Sequence, residues 1–564
     1  MRKLFVAVLS LVSMSLYAGE KNQQLSYNLQ KGMEAAGEGK YSDALNYISK
    51  ELSQNPSNGY AYMLATSIYT DNEVYGRAMK SAELAIKYIP KKDKSSLSFA
   101  YSMRGSVYLG LEDTVKALDD YATAIKINPR LKDAYKNRGD VYFWQKKYDL
   151  CDSDYKKLIS IDKSDVTGYM GLGRSLNAQK KWDAAIEQFN YVEKMDPEYS
   201  STFSFRADSY IGKKEWDKAT DDLVTALKID GDDKAFYMIQ SLEDEPFDKI
   251  KEKFQIQASK EPKDYHWPYY NGIIHENKRK YKQAISYYEA SNKIDLSVYN
   301  LERIANCYFK LGQFEKSLEQ VDKALGMDPQ ILSLQELRAN LKYELGDTRE
   351  CLVLWDSIQS NNPDNAFGYY HRGRCKMYLN DIQGSIEDFG LSITIDPTRS
   401  YYYSSRAAVY QKLGKDNLAK EDYAKVIELE KTPDDYSCSH YAYLALGDSK
   451  KAIEVMDSII ARDTLSGSPY YDAACLYSRM NRPADALRYL EMAFQKGWNH
   501  FNHVNNDFDM DLLRDLPEFK ALLEKYKKQA KADDNTTSEK LPGLSEEKYI
   551  EEKTFVEEFK RLFL

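Results

Sequence analysis

Residues 98–131 read SFAYSMRGSVYLGLEDTVKALDDYATAIKINPRL, and residues 132–165 read KDAYKNRGDVYFWQKKYDLCDSDYKKLISIDKSD. Laid over each other, Tyr101 falls on Tyr135, Arg104-Gly105 on Arg138-Gly139, Tyr108 on Tyr142, Ala117 on Cys151, and Asp120-Tyr121 on Asp154-Tyr155. The beat extends in both directions. Pro56, Pro90, Pro129, Pro197, Pro262, Pro329, Pro363 and Pro397 are separated by 34, 39, 68, 65, 67, 34 and 34 residues. A unit of about 34 residues is the period of a helical solenoid, whose modules cannot bury their apolar faces alone.

Aligned on the prolines, the chain holds fourteen repeats starting near residues 25, 59, 98, 132, 166, 200, 231, 265, 298, 332, 366, 400, 433 and 467. Position 20 is small in thirteen of them: Ala44, Ala78, Ala117, Cys151, Ala185, Ala219, Ala284, Ser317, Cys351, Ser385, Ala419, Ala452 and Ala486. Position 8 is often glycine, as at Gly32, Gly105, Gly139, Gly173, Gly272 and Gly373. Small residues at facing positions let two antiparallel helices approach, with the aromatics of positions 4, 11 and 24 interlocking around them. Position 15 is frequently Gly or Asn (Gly39, Gly312, Gly346, Asn380, Gly414, Gly447, Asn481), which fits a left-handed terminus between the helices. The closing proline stops the second helix.

The spacing, the small residues at positions 8 and 20 and the closing proline resemble the tetratricopeptide repeat family over roughly residues 25–500. The resemblance implies an all-α, right-handed superhelical solenoid of about fourteen helix hairpins, with a C-terminal capping helix. It also implies a concave groove lined by positions 2, 5, 9 and 12 of each first helix, used to bind proteins or peptides. Those positions hold Phe99, Phe143, Arg174, Asn177, His266, Tyr269, Tyr299, Asn306, Phe309, Asn340, Tyr370, Arg374 and Tyr401. Rings offer contact area and amides bond backbone or sugar, so a protein or peptide is the expected partner and a glycan or cell wall the alternative. The Lys and Asn clamp that some members use for a C-terminal carboxylate is not met, since Asp140 follows Lys136 where Asn is needed.

Position 7 is arginine in six repeats: Arg104, Arg138, Arg206, Arg338, Arg372 and Arg406. In five of them position 23 is aspartate: Asp120, Asp154, Asp222, Asp388 and Asp422. Repeats with apolar Leu172 or Ile304 at position 7 carry Gln188 or Gln320 instead. The covariation predicts an ion pair across each hairpin.

The repeat between Gly231 and Pro262 breaks its own rule. Leu242-Glu-Asp-Glu-Pro246 shortens its first helix and Ile250 takes the small position. It reads as a degenerate repeat over 231–264, and as a hinge or bend between an N-terminal array (25–230) and a C-terminal one (265–500). Lys91-Lys-Asp-Lys94 reads as a lengthened loop. The segment 501–529 reads as a cap. Asp507, Asp509 and Asp511 mimic a calcium loop, but Leu512 stands where such a loop needs glycine and Arg514 adds a cation. His500 and His503 are too few for zinc. Residues 530–545 are polar and turn-rich, a linker containing the sequon Asn535-Thr-Thr537. Residues 546–564 read as a tail helix with Tyr549, Val556, Phe559 and Phe563 on one side, which docks on the array or a partner, or leads into a further domain.

Composition narrows the function. The net charge of −8 offers no basic field for nucleic acid. Arg2 and Lys3, the apolar run Leu4–Tyr17 and Ala18 read as a signal peptide over 1–18. No cysteine follows the cut, so a lipid anchor is not expected, and no later stretch is long and apolar enough to span a bilayer. The expected location is extracytoplasmic, periplasmic or secreted. Six cysteines scattered over separate helices, two at the small position, read as core thiols, with Cys351–Cys375 the first choice for any bridge. No phosphate loop, nucleophile elbow or metalloprotease His pair occurs, and the six histidines form no constellation, so no cofactor or metal is expected. The sequence is that of a non-enzymatic exported scaffold, or, in the third reading, of an accessory array for a catalytic partner.

Overall fold

In the computed structural model, which describes residues 25–534, every repeat becomes a pair of antiparallel helices. The first pair is Tyr27–Gly37 with Tyr41–Gln54, the third Lys94–Gly110 with Thr114–Ile127, and the fourteenth Ser468–Arg479 with Pro483–Gln495. They are called hairpins 1 to 14 below. All eight ruler prolines stand two residues beyond the end of a second helix.

Position 15 is where each hairpin turns. It has positive φ in thirteen hairpins, whether it is Gly39, Gly312 or Asn380, or instead Glu73, Glu112, Lys146, Lys180, Lys214 or Arg279. In each, the following N–H reaches back to the carbonyl five residues earlier, as Lys147 to Tyr142 (2.8 Å) and Gln313 to Tyr308 (2.9 Å). This Schellman closure satisfies carbonyls the helix end would otherwise orphan. The turn therefore lies in the backbone bonding, and residue type only follows it.

Between the helices, position 20 is sealed (Ala44, Ala117, Cys151, Ala284, Ser317) and the ring at position 24 lies on the glycine of position 8. A Cβ on Gly272 would stand 2.4 Å from the Tyr288 ring, so only glycine admits that ring. Each second helix then packs on the first helix of the next hairpin, which builds one continuous core per stack.

The chain divides into two compact units at Lys253/Phe254, inside the helix Asp244–Lys260 of hairpin 7. The first helix of that hairpin, Asp233–Gln240, is short, and Ile250 is nonetheless fully buried. In the first unit, first helices of successive hairpins also touch one another. The second unit contains hairpins 8 to 14. Its far end is covered by the helices Phe501–Asn506 and Pro517–Asp534, with Leu513, Phe519, Leu523 and Tyr526 laid on Ala486, Leu490 and Phe494. Residues 1–18, the sequon at 535–537 and the tail 546–564 lie outside the described residues.

Candidate functional site: the first-helix faces

The arginines of position 7 are tied across their hairpins by two parallel bonds each. Nε and one terminal nitrogen meet the two carboxylate oxygens at 2.8 and 2.8 Å in Arg104–Asp120, 2.8 and 2.7 Å in Arg138–Asp154, and 2.8 and 2.8 Å in Arg206–Asp222. Arg372–Asp388 (2.8 and 2.6 Å) and Arg406–Asp422 (2.8 and 2.7 Å) repeat the geometry. Fork-on-fork pairing is the strong form of such a bond. The sequence reading missed a second partner, position 25 of the preceding hairpin. Arg206 Nη1 donates to Asn190 (2.7 Å), Arg372 Nη1 to Asp356 (3.2 Å), and Arg338, which has no aspartate of its own, turns to Asp322 (2.9 Å). These arginines stitch neighbouring hairpins as well as their own two helices.

In the first unit the expected groove residues separate. Phe99 is only 8% exposed and packs in the core, so it cannot line a groove. Asn177 is also buried, donating to the Phe205 carbonyl (2.8 Å) and accepting from Ser209 (2.5 Å), so it joins hairpins rather than facing a ligand. Arg174 is different. Its guanidinium lies 5.2 Å from the Phe143 ring and 5.4 Å from the Phe205 ring, and no carboxylate pairs with it among the described residues. Trp144, one residue beyond Phe143, is 66% exposed.

In the second unit, Tyr299 is 73% exposed, His266 bonds Asp264 (2.7 Å), the Arg303 guanidinium lies 5.9 Å from the Tyr269 ring, and Asn306 donates back to the Glu302 carbonyl (2.9 Å). Tyr370 and Tyr401 meet edge to face at 5.0 Å, an inter-hairpin contact. The remaining three, Phe309, Asn340 and Arg374, face a segment of the chain itself. Trp498, His500 and His503 stand against them and line a half-open cavity of about 310 Å3. Asn499 donates to the Leu311 carbonyl (3.1 Å) and Asn502 to that of Tyr343 (2.6 Å). His500 meets Glu344 (3.0 Å), and His503 sits between the hydroxyls of Tyr343 (3.3 Å) and Tyr378 (3.2 Å). Burial pushes the His503 pKa below its ordinary value.

Farther along, Tyr471 donates to Asp507 (2.7 Å), Arg479 approaches Asp509 (3.8 Å) and Lys412 covers the Phe508 ring (3.2 Å). Cys475, Asp507 and Asp509 have ligand atoms within 4.8 Å of one another, close enough to hold a cation. Tyr471 and Arg479 already take those carboxylates. Asp472 beside them has its carboxyl pushed up to about 7, by burial first and then by Asp507 and Asp509. All six cysteines are free, Cys351 and Cys375 included. Among the described residues no helix is long and apolar enough to cross a membrane.

A family profile for the tetratricopeptide repeat matches residues 300–331 and 400–433, which are hairpins 9 and 12. The chain is a tetratricopeptide-repeat protein. Human DnaJ homolog subfamily C member 7 is 24% identical over 191 residues, 30% of this chain and 38% of that protein. The match thus spans under two thirds of that relative. Two solved structures are similar at lower levels. YrrB, described as a TPR protein with an unusual peptide-binding site, is 21% identical, with 34% of this chain and 96% of that one covered and a TM-score of 0.28. The APC/C hetero-tetramer Cut9–Hcn1 is 13% identical, with 92% and 98% covered and a TM-score of 0.33.

Proposed function

We propose that this tetratricopeptide-repeat chain is a non-enzymatic scaffold, and that the first-helix face of its first unit binds an extended peptide carrying an acidic side chain beside an apolar one. The observation that carries this reading is Arg174. A half-buried cation clasped by two rings, with no carboxylate partner among the described residues, is held in place for an anion from outside. The Phe143 and Phe205 rings beside it supply the neighbouring apolar contact. Export belongs to the same reading and rests on the charged start and apolar run of residues 2–17.

Panning a random peptide library on the full chain tests it. Sequences pairing Asp or Glu with an aromatic or aliphatic residue should be enriched, and Arg174→Ala should weaken their binding about tenfold or more, the loss expected of a hot spot. Unchanged binding by the variant refutes the assignment. Capture of polysaccharide in place of peptide turns the reading to the glycan alternative.

A further inference from the structure

The segment Trp498-Asn-His-Phe-Asn-His503 is built as two Asn-His pairs three residues apart. Each pair bridges two neighbouring hairpins. Asn499 takes the carbonyl of Leu311 at the end of the first helix of hairpin 9, and His500 lies against Phe309 (5.5 Å) and Phe314 (5.3 Å) of the same hairpin while bonding Glu344. Asn502 takes the carbonyl of Tyr343 in hairpin 10, and His503 bridges to Tyr378 of hairpin 11. Asp507 then reaches Tyr471 of hairpin 14, Phe508 lies under Lys412 of hairpin 12, and Asp509 approaches Arg479 of hairpin 14. From Asn499 to His503 it follows hairpins 9, 10 and 11 in their order.

Its seat is imperfect. Trp498 Nε1 and Glu344 Oε2 are buried with no hydrogen-bond partner, and the cavity of about 310 Å3 lies between the segment and the array. A buried orphan forfeits its bonds to water. The downstream part is anchored firmly, because Val504, Met510 and Leu513 are sealed in the terminal core. The upstream part, residues 498–503, is held by the Asn499 and Asn502 amides on main-chain carbonyls, by the Trp498 ring stacked on Tyr471 (4.7 Å) and by Phe501 against Phe494 (5.4 Å).

We propose that the inner face of the second array is a peptide-binding site kept shut by the chain's own residues 498–503, and that it accepts in trans a partner segment of the same chemistry: two Asn-His pairs three residues apart, preceded by an aromatic residue. The site is distinct from Arg174 and rests only on the shared premise that first-helix faces receive peptide. A tethered segment competes at millimolar effective concentration, so a free peptide cannot displace it at micromolar levels.

The test uses the full chain, a fluorescent peptide of residues 497–511 and anisotropy, with hydrogen exchange to follow 498–503. Asn499→Ala with Asn502→Ala should strip protection from 498–503 and raise affinity for the peptide at least tenfold over the unaltered chain. The peptide with both asparagines changed to alanine should bind the variant at least tenfold less well. Gly312→Ala probes the other side. Its Cβ would stand 2.3 Å from Asn499 Cβ, so it should loosen the segment yet fail to gain peptide affinity. Lys, Glu and Arg hold the equivalent position elsewhere at positive φ, so the backbone tolerates the change. Circular dichroism checks folding, and Asn499→Ala alone replaces the double variant where helix content falls. Equal peptide binding by the asparagine variant and the unaltered chain, or loss of protection in the asparagine variant without gain of affinity, overturns the proposal. Arg174→Ala should leave this titration unchanged, which separates its failure from failure of the first-array reading.

Discussion

Replacing Arg206 by leucine should cost hairpin 6 more than any other single change at position 7. Arg206 and Asp222 side chains are only 9% and 8% exposed, against 22% and 5% for Arg104–Asp120. The guanidinium makes two 2.8 Å bonds to Asp222, a 2.7 Å bond to Asn190 and a contact to Glu193. Burial pushes the Asp222 carboxyl upward, and Arg206 is the force that opposes it. Removing one member of a buried pair costs about 3–5 kcal/mol, because the other charge is left uncompensated. Hairpins 5 and 9 show the remedy, with Leu172 facing the position of Gln188 and Ile304 that of Gln320. Arg206→Leu combined with Asp222→Gln should therefore recover to within about 1 kcal/mol of the unaltered chain, since well-packed neutral replacements of buried pairs are close to neutral. Native-state hydrogen exchange over residues 200–230 reads the local opening free energy in all four members of the cycle. A coupling energy below about 0.5 kcal/mol, the range of exposed pairs, would refute the argument.

At Lys214, φ is +60°, a conformation that costs an L-residue about 1–2 kcal/mol, so Lys214→Gly should stabilise by about 0.5–1 kcal/mol after the entropy of glycine is subtracted. Urea unfolding checks this, and destabilisation would show that the lysine stem carries unrecognised packing. Asp472 gives a pH dependence of definite sign. Its folded value of about 7 exceeds the ordinary 3.8, so between those values the native state holds a proton that the unfolded chain has released. Stability falls as pH rises through that window and levels off above it. Asp472→Asn should melt higher than the unaltered chain at pH 8, with the gap closing toward pH 4; a gap independent of pH contradicts the assignment.

The repeat was legible because its signal is redundant. Gly272 demands a flat neighbour, Tyr288 supplies it, Ala284 lets the helices meet, and Pro262 and Pro329 mark the period. The turn at position 15 was legible only in part. Gly312 and Asn380 announce a left-handed residue, whereas Lys146 and Glu112 adopt it because the backbone closure demands it, and nothing in their side chains says so. The ion pairs could be read because they covary within one repeat. The reach of Arg338 to Asp322 crosses a repeat boundary and occurs in too few copies to form a pattern. The inner face was least legible. Family geometry points to Phe309, Asn340 and Arg374, but the segment covering Phe309 and lining the cavity with the other two lies more than a hundred residues away, and no local period links it to them. Its Asn-His pairs were visible, and a cap was the more economical use for them.

Arg279 of hairpin 8 donates to Asp463 of hairpin 13 at 3.1 Å. The exposed pair adds little energy, but it shows that the second unit curls until its beginning meets its sixth member. An open stack behaves as a spring and tolerates a coil more or less at either end. A hoop must count its staves. Deleting one hairpin between residues 280 and 462 would carry Asp463 away from Arg279 and leave the Asn-His pairs addressing the wrong carbonyls, so the number of repeats in this half is fixed by closure, much as strand number fixes a barrel.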